Sequence, residues 1–456
     1  SVVTVDGGEI GRAQAMQAAA ARVEPEVAMN PVLLKPSGER TSQVIVMGRA
    51  IAQEDARSYQ RRKAGLAEVC RGALDDLRGR FDVVICEGAG SPTEINLRVN
   101  DLANMGLARA ADLPVIVVGD IDRGGVFATL HGTLALLEPA DQALIAAFVI
   151  NKFRGDRAIL DPGLRQLREL TGRPVLGVLP YTPGLGLDGE DSMALERGMG
   201  TAGPPLGADG LIVAVVRTPR IANFTDVDPL TCEPGVSVRF TDQAAEVAAA
   251  DLAVVLGSKA TVEDLGFLRS QGIDRALALR ARRGQPVLGV CAGYQMLGGV
   301  ILDEVESGAG RVEGLGLLPV RTRFAADKQL RRRRGSSPAF GDAEAAGYEI
   351  RHGRVESDGA PLLVAEDGEP DGCVHGAVLG TSWHGLLESD GFRRALLEWA
   401  AQRQGLDFFP GAISYAALRD AQLDVLGDLV SEHLDTAAVA QLIECGAPSG
   451  LAAVGR

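Results

Sequence analysis

The sequence predicts two α/β domains, each built on a parallel sheet. Three observations carry this. Short apolar runs rich in valine and isoleucine alternate with segments of helical periodicity, the pattern of strands buried on both faces and joined by helices. Polar and glycine-rich clusters follow those runs, at the carboxyl ends where open α/β sheets bind ligands. The 456 residues exceed one domain of ordinary size, and a glycine- and proline-rich stretch without periodicity at 198–210 divides them. One domain is therefore expected over 1–200, a second over 208–405 and a helical tail over 406–456.

In the first domain, residues 9–22 are alanine-rich with helical character, and 30–36 is a short apolar segment closed by proline. Ala56–Arg80 reads as a long amphipathic helix with Leu66, Val69, Ala73, Leu74 and Leu77 on one face. Phe81-Asp82-Val83-Val84-Ile85-Cys86 is apolar and β-branched, an expected strand that empties into Glu87-Gly88-Ala89-Gly90-Ser91-Pro92. A helix over 101–111 precedes strands at 114–120, 144–150 and 174–179, with a helix over 157–171 before the last. In the second domain, strands are expected at 211–216, 252–256 and 287–290, with a helical segment over 264–283. The basic run Arg331-Arg332-Arg333-Arg334 reads as a solvated loop. Beyond it come a short strand ending at His384, a helix over 391–404, and one or two amphipathic helices over 416–443.

Composition narrows the function classes. Hydrophobic residues make up 46% and charged residues 23%, the balance of an ordinary globular protein. A net charge of −14 argues against non-specific binding to nucleic acid or to an anionic membrane. No apolar run approaches a membrane span and no signal-peptide pattern is present, so the expectation is a cytoplasmic protein. Six scattered cysteines and five histidines form neither a disulfide framework nor a zinc pattern.

The chemistry centres on Pro286-Val287-Leu288-Gly289-Val290-Cys291-Ala292-Gly293-Tyr294-Gln295. An apolar strand ends at a cysteine between small residues, and a helix follows. The helix amides and dipole would favour the thiolate, the nucleophilic form; a buried structural cysteine is the alternative. A base is needed, and His384 stands at the end of its own expected strand. Thiolate attack on a carboxamide carbon would give an oxyanion, then a thioester and ammonia, with the imidazole moving the protons. Backbone amides of Gly257 and Ala292 are the expected oxyanion donors.

Gly289-Val290-Cys291-Ala292-Gly293-Tyr294-Gln295, Leu256-Gly257-Ser258-Lys259-Ala260-Thr261 and Trp383-His384-Gly385 resemble the signatures of a class I glutamine amidotransferase domain of the cobyric acid synthase type. The third triad member of class I amidotransferases is usually a Glu two residues after the His. Leu386 stands there in this chain, so Glu388 is the candidate to orient His384, with a surface carboxylate as the alternative. Leu256 also replaces the proline usual before Gly257.

The first domain resembles the same family's synthetase domain, a P-loop relative of dethiobiotin synthetase with a doubly wound parallel sheet. The segments are Val5-Asp6-Gly7-Gly8-Glu9-Ile10-Gly11-Arg12-Ala13-Gln14, residues 87–92, Asp120-Ile121-Asp122-Arg123-Gly124-Gly125 and Asn151-Lys152-Phe153-Arg154-Gly155-Asp156. Glu87 suits a hard Mg²⁺ ion bridging ATP phosphates, or is a solvated loop acid. Asp120, Asp122 and Arg123 could hold the metal, a substrate carboxylate or only the loop. Asn151 and Lys152 stand where a nucleotide base could be read, or cap a helix.

The resemblance implies that ATP activates carboxylate side chains of adenosylcobyrinic a,c-diamide, a corrinoid polycarboxylate, as acyl phosphates. Ammonia from L-glutamine, reaching them by an internal route, then makes four amides at b, d, e and g. The family's opening strand and Gly-Lys-Ser/Thr phosphate loop have no counterpart in a chain that starts at Ser1 without methionine. Truncation relative to the natural protein, or loss of ATP use, would explain this. A corrinoid- or nucleotide-binding protein without synthetase activity and an a,c-diamide synthase are the competing readings.

Overall fold

The computed structural model describes residues 1–36, 41–96, 98, 101–185 and 202–455. The chain forms two compact units, one comprising Ser1–Val27 with Leu187–Asp420 and the other Ala28–Gly186 with Ala421–Arg456. The division departs from the expected boundaries at both ends. The opening segment packs with the cysteine-bearing unit, and the expected tail is split between the two.

The unit that includes Ala28–Gly186 holds a parallel sheet with Ile145–Phe153 between Val115–Asp120 and Val175–Pro180. Strand residues alternate between two packed faces, as a doubly wound sheet requires. On one face Leu130, Leu134 and Leu167, from the helices Val126–Ala135 and Arg157–Thr171, cover Phe148 and Ile150. On the other, Ala438, Val439 and Leu442 of the helix Thr436–Cys445 cover Ala147, Val149 and Leu176. The helix Tyr415–His433 leads into it. The helix Thr436–Cys445 is thus part of this core rather than an appendage. Residues further on are tied down by Arg173, which donates to the carbonyls of Thr171 and Ala452.

Residues 81–86 depart from the sequence reading. They pair with no strand among the described residues, and Val83 and Ile85 are 48% and 88% exposed. Their β-branched composition favours an extended chain, but a strand exists only where a neighbour completes its hydrogen bonds.

In the other unit six strands run in the order Val236–Thr241, Leu211–Val216, Leu252–Val255, Val287–Val290, Val378–Thr381, Cys373–His375, parallel except for the last. The central strands Leu252–Val255 and Val287–Val290 are buried throughout, which explains their unbroken apolar sequence. Beside this sheet stands a long hairpin of Val320–Ser337 and Ala343–Ser357.

The basic run 331–334 lies within that hairpin, not in a loop. Alternation along the strand sends Arg333 to Glu349, at 2.9 Å, and to Asp367 and Glu369, while Arg332 reaches Glu24. Acids supplied by other segments make a four-arginine strand tolerable, and such partners leave no mark on the run itself. The opening residues also form an unexpected strand. Val2–Val3 pairs with Glu9–Ile10, the helix Arg12–Ala20 follows, and Ile10 is fully buried.

Candidate active site

Cys291 sits between the strand Val287–Val290 and the helix Ala292–Leu297 with φ +53° and ψ −110°. Few non-glycine residues adopt a positive φ; such strain is held only by surrounding structure. Here the Cys291 amide donates to the Thr381 carbonyl at 2.8 Å. The helix start is pressed onto the next strand: a β-carbon on Gly293 would fall 1.9 Å from the Val255 carbonyl oxygen. The turn therefore presents the sulfur at the carboxyl end of the sheet, with the Ile350 carbonyl 3.9 Å away.

His384 follows the neighbouring strand Val378–Thr381 and is buried. Its Nδ1 lies 2.7 Å from Asp226 Oδ2, while the Gly385 amide donates to Asp226 Oδ1 at 2.9 Å. A carboxylate only accepts, so Nδ1 carries the proton and the hydrogen bond to Cys291 comes from Nε2. Burial works against the charged ring, but the Asp226 carboxylate and the Cys291 sulfur outweigh it and raise the His384 pKa to about 10. An imidazolium held in this way is the counter-ion that a thiolate needs.

The expected orienting acid, Glu388, is elsewhere. It pairs with Arg12 at 2.7 Å and Arg419 at 3.2 Å. The short helix Leu386–Glu388 turns its side chain away from the imidazole, and Asp226 takes that role from the 3₁₀ segment Phe224–Cys232, 158 positions earlier. One signal pointed to it. Asp226 stands in the loop region after the strand Leu211–Val216, at the sheet end that carries Cys291 and His384.

The two expected oxyanion donors flank this pair. Ala292 opens its helix, so its amide has no carbonyl within the helix to bond. Gly257 adjoins both side chains: a β-carbon there would stand 3.1 Å from His384 Cε1 and 3.8 Å from Cys291 Cβ. Its loop is braced by Ser258, whose hydroxyl donates to Asp264 at 2.6 Å and accepts the Ala260 amide at 2.9 Å.

In the other unit, four of the expected residues meet at the carboxyl ends of two adjacent strands. Lys152 Nζ lies 2.8 Å from Asp120 Oδ2, the Asp122 amide donates to Asp120 Oδ1 at 2.9 Å, and the Lys152 amide bonds Asn151 Oδ1 at 2.8 Å. The Lys152 ammonium holds the Asp120 carboxyl below the usual carboxylate range. Lys152 has φ +63°, one of seven non-glycine residues with positive φ among the described residues. Asp122 is claimed by Arg154 at 3.0 Å, whose guanidinium stacks 3.3 Å over the Tyr181 ring. Arg123 ends the 3₁₀ turn Ile121–Arg123 and is exposed.

Glu87 lies in exposed irregular chain, and among the described residues no three acids, histidines or cysteines gather as a metal site. Also among the described residues, no helix is long and apolar enough to cross a membrane.

Comparison with known proteins identifies a matching domain in each part of the chain. Residues 212–392 match the CobB/CobQ-like glutamine amidotransferase domain, and residues 19–187 an AAA domain. The second match does not support the expectation that the phosphate-binding part of the nucleotide site is missing; the nucleotide-binding domain is present. Over its whole length the chain is 57% identical to the cobyric acid synthase of Rhodococcus jostii, of which it covers 89%. It is 55% identical to that of Frankia casuarinae, with 99% of this chain and 90% of the relative covered. For the Streptomyces coelicolor cobyric acid synthase the values are 56%, 99% and 89%.

Proposed function

This chain belongs to the cobyric acid synthase family, and from that premise we propose that Cys291 and His384 generate the ammonia for its amidation reaction. The chain is a glutamine-dependent amide ligase of cobalamin biosynthesis. With ATP, it converts the b, d, e and g carboxylates of adenosylcobyrinic a,c-diamide to amides, giving cobyric acid.

One observation carries the assignment of the ammonia-releasing site: a strained, sheet-end Cys291 beside a buried His384 whose far nitrogen is held by Asp226. The Cys291 thiolate adds to the side-chain carbonyl of L-glutamine. The oxyanion forms against the amides of Gly257 and Ala292. The carbon–nitrogen bond breaks as His384 Nε2 protonates the leaving nitrogen, and ammonia departs from a thioester. Water then gives its proton to His384 and its oxygen to the acyl carbon, releasing glutamate and the thiolate.

The amide is made in the other unit. There the γ-phosphoryl group of ATP passes to a substrate carboxylate, and ammonia displaces phosphate from the acyl phosphate. Asp120, Asp122, Arg123, Asn151 and Lys152 stand where nucleotide and carboxylate would be held. Mg²⁺ accompanies ATP in such chemistry, and Glu87 was the sequence candidate for it. Asp120 and Asp122 are engaged by Lys152 and Arg154, and among the described residues they form no assembled metal site.

Cys291→Ala tests the reading. It should abolish glutamine-driven amidation and spare amidation driven by added ammonia. Equal loss of both activities would refute the role given to Cys291.

A further inference from the structure

Besides its hydrogen bond to Cys291, two contacts hold the His384 ring. Asp226 takes its edge, and Tyr348 lies against its face, ring centroids 5.6 Å apart and planes 28° from parallel. Tyr348 and His384 also exchange backbone hydrogen bonds of 3.0 Å and 2.8 Å, which pins the Tyr348 main chain beside the histidine. The phenol can still pivot about its side-chain bonds, so its far end decides where the ring lies. That end is held twice. Asn223 Nδ2 donates to the Tyr348 hydroxyl from 3.3 Å, and Arg12 hydrogen-bonds the same group.

Arg12 is in turn aimed by Glu388, at 2.7 Å, and Glu388 is shared with Arg419. The segment that delivers Arg12 is anchored by the fully buried Ile10 and by the ion pair between the buried Glu9 and Lys328. Glu388, to which the sequence pointed as the partner of His384, thus reaches the imidazole at two removes, through Arg12 and Tyr348. Arg12 lies outside the residues that match the amidotransferase domain, 212–392. The arrangement suits a charged imidazole, because an aromatic face attracts a cation laid on it.

We propose that Arg12 is a positioning residue of the ammonia-releasing site: it holds Tyr348 flat against His384 and so keeps the imidazole aimed at Cys291. The proposal rests on the glutaminase reading above. An Arg12 that merely ties the helix Arg12–Ala20 to its surroundings would shift the unfolding temperature and leave turnover alone.

The test compares the full chain with Arg12→Gln, Tyr348→Phe, their double variant and Cys291→Ala, measuring glutamate release, the unfolding midpoint and ammonia-driven amidation. Arg12→Gln should lower kcat about tenfold with KM for glutamine within about twofold. The midpoint and ammonia-driven amidation should stay near wild type. Tyr348→Phe keeps the ring and removes the hydroxyl, so it should show the same loss, and the double variant should be no worse than either single one. It also serves as the readout if Arg12→Gln does not fold.

Glutaminase kcat within about twofold of wild type in either folded single variant would overturn the proposal, as would an equal loss of ammonia-driven amidation. If Cys291→Ala is inactive with glutamine while the Arg12 and Tyr348 variants are unaffected, the proposal alone fails. If Cys291→Ala still hydrolyses glutamine, the glutaminase reading itself fails.

Discussion

His384 and Asp226 stand 158 positions apart in sequence and 2.7 Å apart in the structure, with the second carboxylate oxygen accepting the Gly385 amide at 2.9 Å. Two donors on successive residues fix both oxygens of one carboxylate. The acid therefore sets the tautomer and the plane of the imidazole together, as the third member of a nucleophile–base–acid set does.

Asp226→Asn should separate those effects from simple packing. The amide is the same size, but it loses the charge and offers one oxygen where the carboxylate offered two. Glutamine-dependent turnover should fall by about a hundredfold or more, with ammonia-driven amidation retained. Glutamate release within about threefold of wild type would show that Asp226 does not orient the base. Glu388→Gln is the companion measurement: acting only through Arg12, it should cost no more than about tenfold.

The pH dependence of stability follows from His384. Its folded pKa, about 10, stands above the ordinary value of 6.5, so the folded state binds the proton more tightly than the unfolded chain. The resulting stabilisation is fully present below pH 6.5 and is lost as pH rises through about 10. Wild type and His384→Asn should therefore differ most in unfolding midpoint near pH 6 and progressively less toward pH 10. A gap that stays constant or widens over that range would contradict the charged pair.

The parallel sheets were legible because strands buried on both faces must be continuously apolar, as Val287–Val290 and Leu252–Val255 are. Cys291 and His384 were legible for a related reason: each ends such a strand, and chemistry in open α/β sheets collects at that edge. The orienting acid was not. Asp226 comes from an irregular segment 158 positions before His384, and only its place after a strand of the same sheet hinted at it, whereas Glu388, two residues beyond the usual position, was the candidate for want of a carboxylate at 386. The strand expected at 81–86 and the loop expected at 331–334 failed in opposite directions for one cause. Pairing partners decide whether a chain is a strand, and neither an apolar nor a basic run records its partners.

Gly257 gives a steric test of the oxyanion site. A methyl group there would lie 3.1 Å from His384 Cε1, 3.3 Å from the Ala222 carbonyl and 3.8 Å from Cys291 Cβ, beside the oxyanion site proposed above. Gly257→Ala should lower kcat/KM for glutamine about tenfold or more, since a misplacement of a fraction of an ångström suffices. Gly257→Val should abolish glutamine use. Both should keep ammonia-driven amidation, and undiminished glutaminase activity in Gly257→Val would place the carbonyl elsewhere.

Asp120 and Lys152 give the corresponding test of the amide-forming site. Their 2.8 Å ion pair is substantially exposed, so it contributes little to stability; exposed pairs are typically worth about 0–1 kcal/mol. Yet Lys152 stands in a left-handed backbone conformation at a strand end, a strain that clusters at functional sites. If the pair serves nucleotide or carboxylate binding, Lys152→Ala should lower both glutamine-driven and ammonia-driven amidation at least about tenfold. The unfolding midpoint should stay unchanged and glutamine hydrolysis measured alone should persist. That is the reverse of the pattern expected for Cys291, Asp226 and Gly257. Asp120→Asn should behave alike, because it frees the ammonium from the carboxylate that positions it. A Lys152→Ala protein that amidates with wild-type kcat and KM for ATP would reduce the pair to a surface contact. Loss of glutamine hydrolysis alone would move it out of the amide-forming site.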